Sequence, residues 1–145
     1  MYTYQHPRPS VSVDIVIFRK VKNDHQVLLI KRAQEPYQGC YALPGGFVGT
    51  EETLEDAAAR ELQEETGIIV EKLFQIQTFS EVNRDSRGRV ISTAFCGFLL
   101  NNDTQPRAGS DASNVSWFSL EDLPELAFDH KKIIQLTITK IDLPQ

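Results

Sequence analysis

From Val11 to Phe18 the chain alternates. Val11, Val13, Ile15 and Ile17 fall on one side of an extended segment, and Ser12, Asp14 and Val16 on the other. A period of two predicts a strand. VKNDH (Val21–His25) reads as a turn with Asn23-Asp24 at its tip, and QVLLIKR (Gln26–Arg32) as a second strand, so the two are expected to pair as a hairpin. AQEPYQGC (Ala33–Cys40) is a loop, and YALPGGFV (Tyr41–Val48) is short, extended and broken by Pro44-Gly45-Gly46.

The period then changes. From about Thr53 to Thr66 the pattern predicts a helix, with Thr53 and Asp56 placed as a capping box and Gly67 at the left-handed C-terminal position. IIVEKLFQIQTFSEV (Ile68–Val82) and RVISTAFCGFLL (Arg89–Leu100) are two further strand candidates, joined by the polar loop NRDSRG. NNDTQPRAGSDAS (Asn101–Ser113) reads as a surface loop, VSWFSL (Val115–Leu120) as a last short strand, and LAFDHKKIIQLTITKI as a helix capped by Asp129. The elements sum to a mixed sheet with helices packed on it, an α+β arrangement, in one domain over residues 1–145.

Charge changes this picture at one place. Between Glu51 and Glu65 stand seven acids and one base, Arg60, a net −6 in a chain whose total is −5, so the remaining residues sum to about +1. Nothing basic enough for a nucleic-acid face is present, and no apolar run reaches membrane-spanning length. Cys40 and Cys96 are far apart and form no CxxC pair, the usage of a cytoplasmic protein with reduced thiols.

On a helix Glu61, Glu64 and Glu65 sit at i, i+3 and i+4 and share a face, where like charges repel by roughly 0.2–0.5 kcal/mol per pair. They also lie in the last turns, where the helix dipole disfavours anions. Arg60 alone is too little counter-charge, and the simplest supply is a divalent cation. Clustered hard oxygens suit Mg²⁺, with Mn²⁺ as a substitute, better than zinc. Gly45-Gly46 just upstream lets backbone approach a ligand, and makes the Gly46 carbonyl a candidate further ligand.

From Gly46 the chain reads Gly, five residues, Glu52, seven residues, Arg60-Glu61-Leu62, one residue, Glu64-Glu65, one residue, Gly67-Ile68. This resembles the Nudix box with every defining position filled. The resemblance implies an α/β/α sandwich around a mixed sheet, and a Mg²⁺-dependent hydrolase of a nucleoside diphosphate linked to another moiety. It implies Glu61, Glu64 and Glu65 as metal carboxylates, Gly46 as the carbonyl ligand, Glu52 and Arg60 as a brace between loop and helix, and Leu62 and Ile68 as core. The general base stays open among Glu61, Glu65, Glu81, Asp85 and Asp111.

The flanks, HPRPSVSVDIVIF, LLIKRAQEPYQGCYALPGGFV, RDSRGRVIS and SDASNVSWFSLEDLPELAFDH, are similar to ADP-ribose pyrophosphatases and to the Nudix domains of NAD-related transcriptional regulators. That resemblance implies ADP-ribose as substrate, giving AMP and ribose 5-phosphate. The alternatives are a nucleoside triphosphate or dinucleoside polyphosphate hydrolase, and a ligand-sensing domain without catalysis. One departure bears on the substrate. The branch often carries a proline a short way past the box, and Glu71 to Asn102 contains none. Arg32 is the expected phosphate contact, and among the loop arginines Arg84, Arg87 and Arg89 it is Arg84 that is expected to contact substrate. Phe128, Tyr4 and Tyr37 are the aromatics placed to stack on a base, with Phe128 chosen for the site. His130 reads as structural or solvent-facing. The resemblance implies a homodimer, with the Pro-rich N-terminal segment expected to reach the partner, and the tail TITKIDLPQ is expected to be too short and too weakly basic for a DNA-binding domain.

Overall fold

The computed structural model describes residues 3–100, 104–109 and 112–143. Strand β1 (Ser10–Val21) and strand β2 (Asp24–Arg32) form the expected hairpin, in register from Phe18↔Val27 to Val21↔Asp24. The turn tip is Lys22-Asn23, one residue earlier than the sequence suggests, with Lys22 at φ 58°. Asp24 belongs to the strand because its carboxylate is held by Gln26 Nε2 at 2.9 Å and the Ser119 hydroxyl at 2.7 Å.

Away from the turn the two strands separate, and a wedge opens between them. Strand β3 (Tyr41–Ala42) pairs with β2 and strand β4 (Gly45–Phe47) pairs with β1 inside that wedge. The Leu43–Gly46 segment is thereby carried into the middle of the sheet. On its other edge β1 runs parallel to β6 (Val90–Phe98), from Ser10↔Val90 to Phe18↔Phe98, and β5 (Phe74–Phe79) closes that side. Strand β7 (Ala112–Ser119) lies against β2.

Helices cover both faces, as the α/β/α expectation requires. Val13, Ile15, Ile17, Leu28 and Phe95 pack on Ala57, Ala58 and Leu62 of helix α1 (Leu54–Thr66). Val16, Phe18, Leu29 and Cys96 pack on Ile133 and Ile134 of helix α2 (His130–Lys140). Each such side chain contributes about 1.5–3 kcal/mol when fully buried. A central strand buried on both faces has no solvent side. Ser12 and Asp14, which the alternation assigns to a polar face, are therefore buried too.

Helix α1 has the predicted ends. The Asp56 N–H donates to Thr53 Oγ1 at 3.1 Å, and Gly67 closes the helix at φ 73° with its N–H on the Gln63 carbonyl. Two expectations differ. Ile68–Leu73 is not strand: Ile68 is buried against α1, with Val70 and Leu73 partly so, and apolarity alone cannot tell that packing from pairing. Asp129 makes no side-chain cap on α2, because its carboxylate is engaged by Arg84. Among the described residues no helix is long and apolar enough to cross a membrane.

Candidate active site

The wedge in the sheet delivers Leu43–Gly46 against the last turns of α1. The Gly45 N–H donates to Glu65 Oε2 at 2.8 Å, and Glu65 is only 8% exposed. Glu61 faces Gly46 so closely that a Cβ there would fall 2.4 Å from the Glu61 carboxyl carbon. Only glycine leaves this carboxylate its place beside the backbone. Glu64, one turn on, is the exposed member of the three, with 59% of its side chain open to solvent. A cavity of about 400 Å³ lies over this floor, lined by Ile30, Arg32, Gln34, Glu35, Gly46, Phe47, Glu61, Glu65 and Arg87.

Arg60 spans more carboxylates than the sequence suggests. Its guanidinium meets Glu52 at 2.5 and 2.9 Å, Glu61 at 2.7 Å, Glu64 at 3.1 Å and the Phe47 carbonyl at 3.2 Å. Glu52 also accepts the Gly49 N–H at 2.7 Å, so Glu52 and Arg60 tie the loop after β4 to the helix. The Arg60 hydrogen bonds, with that N–H, hold the Glu52 carboxyl down at about 2, and Arg60 is raised in return, by Glu52 first and Glu61 next. One cation is thus shared by three carboxylates, and the Gly45 amide holds Glu65.

The donor set fits a hard divalent cation: the Glu61 and Glu65 carboxylates and the Gly46 backbone line one cleft, and Glu64, largely exposed and bonded to Arg60, lies one turn from Glu61 outside that lining. Among the described residues no three acid, imidazole or thiol groups already converge on one point, since Glu61 and Glu64 are both turned onto Arg60.

The cleft lining also holds cationic and aromatic side chains. Arg32 Nε donates to the Pro36 carbonyl at 2.7 Å, and its guanidinium lies 5.1 Å from the Phe128 ring centre. Arg87 is gripped by the Asp85 carboxylate at 2.7 and 3.0 Å and lies 4.9 Å from both the Phe47 and Phe128 rings. Tyr37 meets Phe128 edge-on at 4.8 Å. Phe128 and Tyr37 both have positive φ, 53° and 61°, a conformation unusual for such side chains.

Of the expected residues, Glu61, Glu65, Gly46 and Arg32 line the cleft, with Phe128 against Arg32 and Arg87. Arg84 does not: only 3% of its side chain is exposed, and it is paired with Asp129 at 2.7 and 2.9 Å and stands 3.8 Å from Asp14. Arg87, three residues on, takes the place at the cleft. The loop sequence carries no signal separating the two arginines. Tyr4 lies under the Arg8 guanidinium at 4.1 Å and does not line the cleft. Among the base candidates, Glu81 is exposed outside the cleft lining, and Asp111 lies outside the described residues. Burial pushes the Asp85 carboxyl up, but its bonds to Arg87 outweigh this and leave it below the ordinary value.

His130 takes the structural of its two readings, and Asp14 is buried beside it. His130 is 5% exposed, with Nδ1 accepting the Leu43 N–H at 3.0 Å and Nε2 3.3 Å from Asp14 Oδ1. Ser92 donates to Asp14 Oδ2 at 2.6 Å.

The glycine loop sets backbone beside the helix carboxylates, and Arg32 and Arg87 share the same cleft lining, a combination suited to an anionic ligand. The NUDIX domain profile matches residues 8–137, and the chain belongs to that family. It is 45% identical over 132 residues to an ADP-ribose pyrophosphatase from Methanocaldococcus jannaschii, covering 91% of this chain and 73% of that one. It is 32% identical over 141 residues to the ADPR responsive transcriptional repressor NtrR of Acinetobacter baylyi, covering 94% of this chain and 56% of the repressor. Among solved structures, a MutT/nudix family protein from Enterococcus faecalis superposes with a TM-score of 0.86 at 32% identity, over 96% of this chain and 64% of that one. The NUDIX domain of Shewanella oneidensis NrtR, solved with ADP ribose, superposes at 0.85 and 29% identity, over 90% and 87%.

Proposed function

We propose that this cleft hydrolyses a nucleoside diphosphate joined to a second moiety, with ADP-ribose as the substrate and AMP and ribose 5-phosphate as products. The family match and the pyrophosphatase relative support a pyrophosphatase enzyme. The observation that carries the substrate reading is what one cleft lining brings together: the Glu61 and Glu65 carboxylates and the Gly46 backbone, with Arg32 and Arg87 beside aromatic rings. A diphosphate with a flat base needs both.

Glu61, Glu64, Glu65 and the Gly46 carbonyl would hold the metal, Mg²⁺ or Mn²⁺. Nudix hydrolases generally need a divalent metal; bound here it supplies charge neutralisation on the diphosphate and a more acidic water. The chain's own part is positioning and electrostatics. Arg32 and Arg87 present forked donors suited to phosphate oxygens, each already oriented by a carbonyl or carboxylate partner. Phe128 and Phe47 offer faces to a base or ribose. Water adds to one phosphorus, the bridging P–O bond breaks, and the leaving phosphate takes the electron pair. The water's proton goes to a carboxylate, Glu61 or Glu65 in this proposal, and their presence in the cleft lining supports that choice.

Product analysis over ADP-ribose, NADH, dinucleoside polyphosphates and nucleoside triphosphates, with and without Mg²⁺, tests this. AMP from ADP-ribose only with metal supports it; turnover of a different substrate keeps the chemistry and discards the substrate. The repressor relative and the ADP-ribose-bound neighbour favour a second reading, in which the domain senses ADP-ribose. Binding of ADP-ribose with no turnover would select it. A homodimer acting in the cytoplasm belongs to the same proposal, and a monomer by sedimentation at micromolar concentration would remove the dimer.

A further inference from the structure

We propose that His130 and Asp14 are positioning residues for the metal site, acting through the backbone of Leu43–Gly46. This rests on the reading of Glu61, Glu65 and the Gly46 carbonyl as metal ligands.

Three consecutive residues of this segment are held by three different elements. The Leu43 N–H donates to His130 Nδ1 at the start of α2, at 3.0 Å. The Pro44 carbonyl accepts the Ile15 N–H of β1 at 2.8 Å. The Gly45 N–H donates to Glu65 of α1 at 2.8 Å. Leu43 is 2% exposed, so its N–H has no water to turn to without His130. A buried donor left unsatisfied costs about 1–3 kcal/mol. The cheapest relief is a shift of the segment that also carries Gly45 and Gly46.

The imidazole is itself held. An N–H donating to Nδ1 requires that nitrogen to be the acceptor, so the ring proton sits on Nε2 and points at Asp14 Oδ1, 3.3 Å away. Asp14 is opposite Gly45 in the β1–β4 ladder, so the carboxylate that orients the ring sits on the strand that pairs with the glycine loop. Ser92 and Arg84 fill its other side at 2.6 and 3.8 Å. Burial opposes ionisation of Asp14, but His130, Ser92 and Arg84 outweigh it and keep the carboxylate charged. Arg84 continues to Asp129, beside Phe128. One buried polar cluster thereby fixes the floor of the cleft and abuts the turn carrying its aromatic wall.

Mn²⁺ binding to the whole protein, titrated without substrate, is the test. Glu65→Gln first checks that wild-type binding occurs at this site; no Glu65-dependent binding overturns both the metal reading and this inference. Given wild-type binding, His130→Gln keeps a donor for Asp14 but withdraws the acceptor from Leu43, and His130→Asn keeps an oxygen near Nδ1. The expected result is roughly tenfold weaker Mn²⁺ binding in His130→Gln, the scale of losing an outer partner of a metal site, with a distinctly smaller loss in His130→Asn, which keeps the Leu43 acceptor and gives up only the Asp14 contact. Equal binding by wild type and His130→Gln, or equal loss in both variants, overturns the positioning role while leaving the metal reading intact. If neither variant folds, the ¹⁵N shifts of the wild-type imidazole decide: a proton on Nε2 supports the arrangement, and one on Nδ1 overturns it.

Discussion

The Gly45 N–H and the Glu65 carboxylate, twenty residues apart in sequence, meet at 2.8 Å. That bond joins the glycine loop to the last turn of α1, and it places a charge where the helix dipole alone would disfavour one. Removing the charge at Glu65 keeps the side chain's shape and an oxygen for Gly45. Glu65→Gln is therefore expected to stay folded, with a melting curve near wild type, and to lose most metal-dependent turnover. Near-normal activity would take Glu65 out of the metal shell.

Glu52 gives a dependence on pH. Arg60 and the Gly49 N–H lower its folded-state pKa from the ordinary value near 4.5 to about 2. A depressed carboxylate contributes stability above its unfolded pKa and loses it as pH falls through the folded value. The stability difference between wild type and Glu52→Gln should hold near neutrality and shrink as pH falls from about 4.5 to about 2. Denaturant titrations across that range would show it; a constant difference would mean that the Glu52–Arg60 pair is not the source.

The two loop arginines should separate cleanly. Arg84→Ala strips a buried partner from Asp129 and Asp14, a change expected to cost about 3 kcal/mol or more of stability. Arg87→Lys keeps a cation beside the buried Asp85 carboxylate but withdraws the forked donors from the cleft, and should leave the melting temperature little changed while raising KM for the diphosphate substrate. Thermal melts beside steady-state kinetics distinguish the two, and the opposite pattern would return Arg84 to the substrate.

The thiols make a simpler test. Burial pushes Cys96 up to about 12, in the core facing α2, whereas Cys40 is partly exposed. Alkylation of the folded protein at pH 8 should add one label, at Cys40. Modification of Cys96 under native conditions would show that the core opens.

Local spacing determined much of this protein. The hairpin, helix α1 with its Thr53 and Gly67 ends, and three carboxylates on one helix face all follow from the periods of strand and helix and from the residues that start and stop them. Those relations span a few residues, so the sequence displays them. The tertiary structure alone decided that β1 runs parallel to β6, and that the hairpin opens to admit β3 and β4. It also decided that Arg87 rather than Arg84 reaches the cleft, and that His130 meets a backbone amide 87 residues away. Both arginines sit in one polar loop, and Asp14 falls on the polar side of an alternating strand. Their roles depend on which buried partner the completed sheet brings within hydrogen-bond reach, and no local pattern carries that information.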